Sequence, residues 1–194
     1  MKIGIIGIGN VGLQVLKDLN SNVKTKNILN VEKILVRNKE KYLKVLDSEF
    51  GKNNNISIKI TDDFNEFINS DISTVVELVG GMSPAKEYVE KSILSGKNVV
   101  TANKEIISNG IDYLTNLADS KNVKLRFEAA VGAGIPLIEV LVDMLEQNNI
   151  SKITGIINGT SNYILSSMHN SDKTFNESLK EAQDLGFAEA DPTN

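Results

Sequence analysis

The residues with the most pointed chemical spacing lie at the start of the chain, where "MKIGIIGIGNVG" places Gly7, Gly9 and Gly12 in a G-x-G-x-x-G pattern. An apolar β-branched run precedes them and an amphipathic segment follows, so the glycines fall between a strand and a helix. In that context each has a task. One makes a tight turn, one lets backbone approach a pyrophosphate, and one lets the helix pack closely, while Asn10 and Val11 open a helix whose N–H groups attract an anion. The chemistry is dinucleotide binding. An acid at the end of the second strand would select NAD through its ribose hydroxyls, but "ILVRNKEK" puts Arg37 and Lys39 there. Cations at that place accommodate a 2′-phosphate, so NADP is favoured and NAD remains possible.

Other chemistry-bearing residues sit at later strand ends, where an open parallel sheet holds its ligands. In "VVELVGG", Gly80 and Gly81 allow close approach, and Glu77 reads as a strand-end carboxylate with a local hydrogen-bond partner. Lys104 in "NVVTANKE" follows its strand by three residues; its ammonium can polarise a carbonyl or hold a phosphate oxygen, or be a solvated lysine opening a helix. A cation is disfavoured at a helix N-terminus, which weakens the second account. In "FEAAVGAGIPL", Glu128 is either a helix cap or, with neighbouring backbone carbonyls, part of an oxygen site for a hard cation. Asn158 and Thr160 in "IINGTSNYIL" read better as helix caps than as substrate contacts.

The elements that must carry these residues alternate as βαβ units, the pattern of an α/β, doubly wound parallel sheet of Rossmann type. Strands are expected at Lys2 to Ile6, Lys33 to Val36, Thr74 to Leu78, Asn98 to Thr101 and Lys124 to Phe127. Helices are expected at Val11 to Leu19, Ala85 to Ser95, Ile111 to Ser120 and Ile135 to Glu146. The Asn- and Lys-rich stretches "LNSNVKTKNILN" and "GKNNNISIKITDD" read as surface connections. After Glu146 the pattern changes: "ISKITGIIN" reads as a strand, followed by helices over Asn162 to His169 and Phe175 to Leu185. This divides the chain into residues 1–130, a nucleotide-binding domain, and 131–194, the beginning of a second, α+β domain.

Composition narrows the function classes. The 194 residues carry a formal net charge of −4, which argues against nucleic acid and anionic membrane as partners. No Cys is present, so disulfides, thiolate nucleophiles and Cys-ligated zinc are excluded, and a single His makes a His-based metal site a poor expectation. Aromatics make up only 5%, so the core must be aliphatic. The glycine-broken N-terminal run has no signal-peptide cleavage pattern, and a cytoplasmic protein acting on small molecules is the expectation.

Taken together, "GIGNVG", "VVELVGG", "NVVTANKE", "FEAAVGAGIPLI", "GIINGTSNYIL" and "EAQDLGFAEADPT" resemble homoserine dehydrogenase, in order and spacing, over nearly the whole chain. The resemblance implies an NAD(P)-dependent oxidoreductase of threonine and methionine biosynthesis, a homodimer that interconverts L-aspartate 4-semialdehyde and L-homoserine. It implies that Lys104 lies near nicotinamide and substrate, that Glu189 takes the substrate ammonium, and that Gly186 lies against the cofactor. It further implies a monovalent-cation site, sodium by expectation, at Glu128, Val131, Ala133 and Ile135, held mostly through backbone oxygens. In the family a second lysine, preceded by an aspartate, follows the "EADPT" stretch as proton donor; its absence here leads to the expectation of a truncated, inactive chain. Two other readings share the fold: a different semialdehyde or imine reductase using Lys104 alone, and a non-enzymatic NADP-binding module.

Overall fold

A computed structural model describes residues 1–22, 28–52, 55–56, 59–132 and 134–188. Six parallel strands form one sheet: β1 (Lys2–Ile6), β2 (Asn30–Leu35), β3 (Ile60–Thr61), β4 (Thr74–Glu77), β5 (Asn98–Thr101) and β6 (Leu125–Arg126). Their order is β3-β2-β1-β4-β5-β6. The chain therefore winds outward from β1 in one direction, then returns and winds in the other. The reversal falls between β1 and β4, and crevices at the carboxyl ends of strands on either side of such a point are where doubly wound sheets take ligands. Ile6 is in register with both Leu35 and Glu77, so the ends of β1, β2 and β4 lie level.

The crossovers are α1 (Asn10–Ser21), α2 (Lys39–Phe50), α3 (Phe64–Ile68), α4 (Ala85–Leu94) and α5 (Lys104–Ser120). Later come a 3-10 turn at Glu128–Ala130, α6 (Ile138–Gln147), α7 (Gly159–Ser171) and α8 (Phe175–Asp184). Two aliphatic clusters cover the two faces of the sheet. On one, Ile5, Ile34 and Leu46 pack with Leu16. On the other, Phe67, Val75, Val89, Val99 and Leu114 pack together. Among the described residues Phe67 is the one large ring buried at the centre, and it explains a glycine in the middle of β1. A Cβ at Gly4 would stand 2.6 Å from the Phe67 ring, so the strand gives up a side chain to let the ring lie on it.

Several expectations from sequence need correction. The "GKNNNISIKITDD" stretch is more than a connection, because β3 lies inside it and α3 begins at its end; two residues of edge strand leave too short a pattern to see. Helix α5 starts at Lys104 rather than Ile111, since the Asn103 side chain caps it by accepting from the N–H groups of Glu105 and Ile106; Gly110 only kinks it. The strand expected in "ISKITGIIN" is not formed among the described residues, for a strand needs a pairing edge and none is offered. Ile153, Ile156 and Ile157 there stay exposed, Ile157 at 99%.

The chain falls into two compact units, Met1–Val142 and Asp143–Asn194. In the second, α7 and α8 pair as a helical hairpin. Thr174 caps α8 with a capping box to Glu177, and Lys173 pairs with Glu181 at 2.8 Å. The Tyr163 and Phe187 rings meet at 5.1 Å between centroids.

Candidate functional site

A cleft of about 490 Å³ opens at the level carboxyl ends of β1, β2 and β4. Its walls bring together Gly7 and Gly9, Arg37, and Gly80, three parts of the chain the sequence had nominated separately. The glycines differ in what requires them. Gly7 has φ +87°, a left-handed conformation, and a Cβ there would meet Val79 at 2.7 Å. At Gly12 a Cβ would meet the carbonyl oxygen of Gly7 at 2.2 Å, which is the close helix-to-strand contact the pattern demands. Around Gly9 a Cβ meets nothing within 4 Å. Among the described residues nothing excludes a side chain at Gly9, and the open space beside it belongs to the cleft.

Helix α1 presents its N-terminus to that space. Gly9 is its N-cap, with no side-chain cap and no acid in the first turn. By contrast α2, α3, α5, α7 and α8 are capped by Asn38, Asp63, Asn103, Asn158 and Thr174. The first-turn N–H groups of α1, at Asn10, Val11 and Gly12, thus lack an internal acceptor from a capping side chain, and its positive dipole end is uncompensated by charge.

At the far wall the cleft is lined by Arg37, Asn38 and Lys41, with Asp62, Pro84 and Tyr88 nearby. The second basic residue on this wall is Lys41; the charge of Lys39 is felt by Glu66 instead. Asn38 explains why: its side chain caps α2 at the Lys41 N–H, 2.9 Å away, and so sets which residues of the first turn face the cleft. Sequence reading missed Lys41, Asp62, Pro84 and Tyr88. The four-residue step from Arg37 to Lys41 was the available signal for the first. The Tyr88 ring is backed by Phe64, stacked at 4.6 Å.

Lys104 is the first residue of α5, exposed, at the carboxyl end of β5; it is not part of the cleft wall. Glu77 is fully buried, with the Val79 N–H donating to it at 2.6 Å and the Thr101 hydroxyl also donating. Burial pushes its carboxyl above the usual carboxylate range, against the pull of those donors.

Glu128 makes the contacts of a cap. Its carboxylate accepts from the N–H groups of Leu137, Ile138 and Glu139, the last two at 3.0 Å, across the start of α6. Those hydrogen bonds, with Leu137 first, hold its carboxyl below the usual range. A depressed value means stability that is present above the ordinary carboxylate range and lost as pH falls through the folded value. We expect Glu128→Gln to lower the melting temperature at neutral pH, and the gap from wild type to close between roughly pH 5 and 3, near and below the ordinary carboxylate value; a thermal scan across that range checks it. Val131 and Ile135 have only main-chain oxygens to offer a cation, and Ala133 lies outside the described residues. So does Glu189. Gly186 follows α8 with φ +76°, and Asn158 caps α7 by accepting from Ser161 N–H at 2.7 Å, while Thr160 donates to the Phe187 carbonyl.

Residues 7–128 match the family model described as homoserine dehydrogenase, NAD binding domain, and residues 136–194 match the one described as homoserine dehydrogenase. The chain belongs to the homoserine dehydrogenase family. Among relatives, the homoserine dehydrogenase of Neisseria gonorrhoeae is 39% identical over 198 residues, covering 100% of this chain and 44% of the relative. The crystal structure of the homoserine dehydrogenase from Thiobacillus denitrificans superposes with a TM-score of 0.81 at 39% identity, over 100% of this chain and 44% of that one. A hyperthermophilic archaeal homoserine dehydrogenase solved in complex with NADPH matches at TM-score 0.78 and 30% identity, over 99% of this chain and 63% of that one. The chain thus spans about 44% of the length of the curated homoserine dehydrogenase it was aligned to above. Among the described residues no helix is long and apolar enough to cross a membrane.

Proposed function

We propose that the cleft binds NADP(H), and that the protein to which this chain belongs reduces L-aspartate 4-semialdehyde to L-homoserine in the cytoplasm. The observation that carries the first half is the uncapped N-terminus of α1 opening beside Gly9 into the cleft, an anion site with room for a diphosphate. Arg37 and Lys41 on the β2 side of the cleft support NADP over NAD, because a 2′-phosphate there would gain two cations. We expect Arg37→Ala to weaken NADPH binding about tenfold or more while leaving NADH nearly unchanged, the scale of one charge-assisted hydrogen bond. Parallel titrations with the two nucleotides measure the ratio, and an unchanged ratio sinks the assignment.

NADPH, when bound, supplies hydride to the aldehyde carbon. The alkoxide that results needs positive charge close by, and the Lys104 Nζ supplies it. Lys104 has the right address, at the start of a helix on the same sheet end as the cleft. Glu189 takes the substrate ammonium, Gly186 lies against the cofactor, and a monovalent cation such as sodium sits in the turn from Glu128 to Ile135. Glu128, Val131, Ala133 and Ile135 would hold it mostly through backbone oxygens, a donor set that suits a hard ion. The bare Ile153, Ile156 and Ile157 support a homodimer, in which that apolar segment would find cover. The division at 130/131 follows the same reading: nucleotide first, substrate and dimer after.

Following NADPH absorbance with aspartate semialdehyde tests the reaction. Oxidation that depends on the semialdehyde and is lost in Lys104→Ala supports it; nucleotide binding with no turnover by any form of the protein makes the chain a binding module.

A further inference from the structure

Glu77 is fully buried in a sheet that otherwise has little use for a carboxylate, and its partners form a chain. The Thr101 hydroxyl, also fully buried, donates to Glu77 and accepts from the Asn103 N–H at 3.0 Å. Asn103, 6% exposed, then reaches in two directions. Its side-chain amide donates to the carbonyls of Val79 at 2.7 Å and Gly81 at 2.8 Å, and its side-chain oxygen accepts from Glu105 and Ile106 at the start of α5. Glu77 closes the ring by accepting from the Val79 N–H. Val79 is thereby held at both its N–H and its carbonyl, and Val79 and Gly80 are cleft wall.

We propose that Glu77 is a positioning residue: through Thr101 and Asn103 it locks the loop after β4 to the loop after β5, fixing the cleft wall at Val79 and Gly80 and the backbone of Lys104 together. The direction of the hydrogen bonds makes Glu77 the anchor. A threonine hydroxyl has one proton; because the Glu77 carboxyl takes it, the oxygen's lone pair is aimed at Asn103. A glutamine at 77 can instead donate to Thr101, which would then face two donors and turn its own proton elsewhere. Burial makes the loss costly at Glu77 and Thr101, both fully buried. The consequence for nucleotide binding rests on the cofactor reading given above.

The test uses the whole chain as Glu77→Gln, Thr101→Val and Thr101→Ser, with amide hydrogen exchange and NADPH titration on each. Glu77→Gln and Thr101→Val should speed exchange together at Val79, Asn103, Glu105 and Ile106, leave the β1 amides protected, and weaken NADPH about tenfold. Thr101→Ser, which keeps the hydroxyl, should resemble wild type in both. Faster exchange at Val79 alone, a uniform rise across the whole unit, or unchanged NADPH affinity despite faster exchange overturns the positioning role. A wild type that fails to bind NADPH overturns the cofactor reading instead, and the exchange pattern still decides whether the two loops are locked.

Discussion

Gly9→Val keeps its fold and loses the dinucleotide. The expectation follows from the different surroundings of the three fingerprint glycines. Gly12 and Gly7 are demanded by the protein itself, one by a backbone oxygen 2.2 Å from where its Cβ would be, the other by its left-handed φ. Gly9 is demanded by neither, because its φ is −66° and its Cβ would stand in open space. A valine there costs the fold less than about 1 kcal/mol, the scale of a poor N-cap. It fills the volume a diphosphate needs against the N-terminus of α1. NADPH affinity should fall by at least about 100-fold, roughly 2.7 kcal/mol. Thermal unfolding and fluorescence titration on the same sample separate the two effects. A Gly9→Val protein that unfolds much earlier than wild type would show that the residue is structural after all.

Phe67→Ala should produce the largest loss of stability. Phe67 is fully buried, in a core with few large rings, and Gly4 has no side chain so that its ring can lie on β1. Truncation therefore opens a cavity that no side chain on β1 can fill, with Ile72 the other close neighbour. The cost is about 3–5 kcal/mol, and the melting temperature of the Met1–Val142 unit should drop by roughly 10 °C. Adding Gly4→Ala to this variant should recover part of the loss, since its Cβ would enter the vacated space; scanning calorimetry of the three proteins checks both statements. Full additivity of the two substitutions would contradict the packing argument.

The parts of the fold legible in sequence are those where period and punctuation agree. Lys2–Ile6 and Asn98–Thr101 are strands to the residue, because each is an apolar run cut off sharply by glycine or a helix cap. Pairing and side-chain direction were not legible. The two residues of β3 are strand only because Leu35 and Ile34 lie beside them, and Ile150 to Asn158 are not strand although their pattern invites it, because no described segment pairs with them. Around the cleft the same distinction holds. The glycines and Arg37 announce themselves by spacing, whereas Lys41 displaces Lys39 from the cleft because the Asn38 cap fixes the phase of α2. Glu128 reads from sequence as a cap or a cation ligand, and only the structure shows the N–H groups of Leu137, Ile138 and Glu139 converging on its carboxylate. Asp62 and Tyr88 come from segments that carry no motif, brought to the cleft by the level register of the strand ends.

These observations make the cleft beside Gly9 the centre of the account, with a dinucleotide bearing a 2′-phosphate as its ligand. Titration of this chain with NADPH and NADH, for wild type and Gly9→Val in parallel, addresses that claim directly. The account predicts saturable binding of NADPH by wild type, about tenfold or more tighter than NADH, and no detectable binding of either by a folded Gly9→Val protein. Equal affinity of wild type and Gly9→Val for NADPH would contradict it.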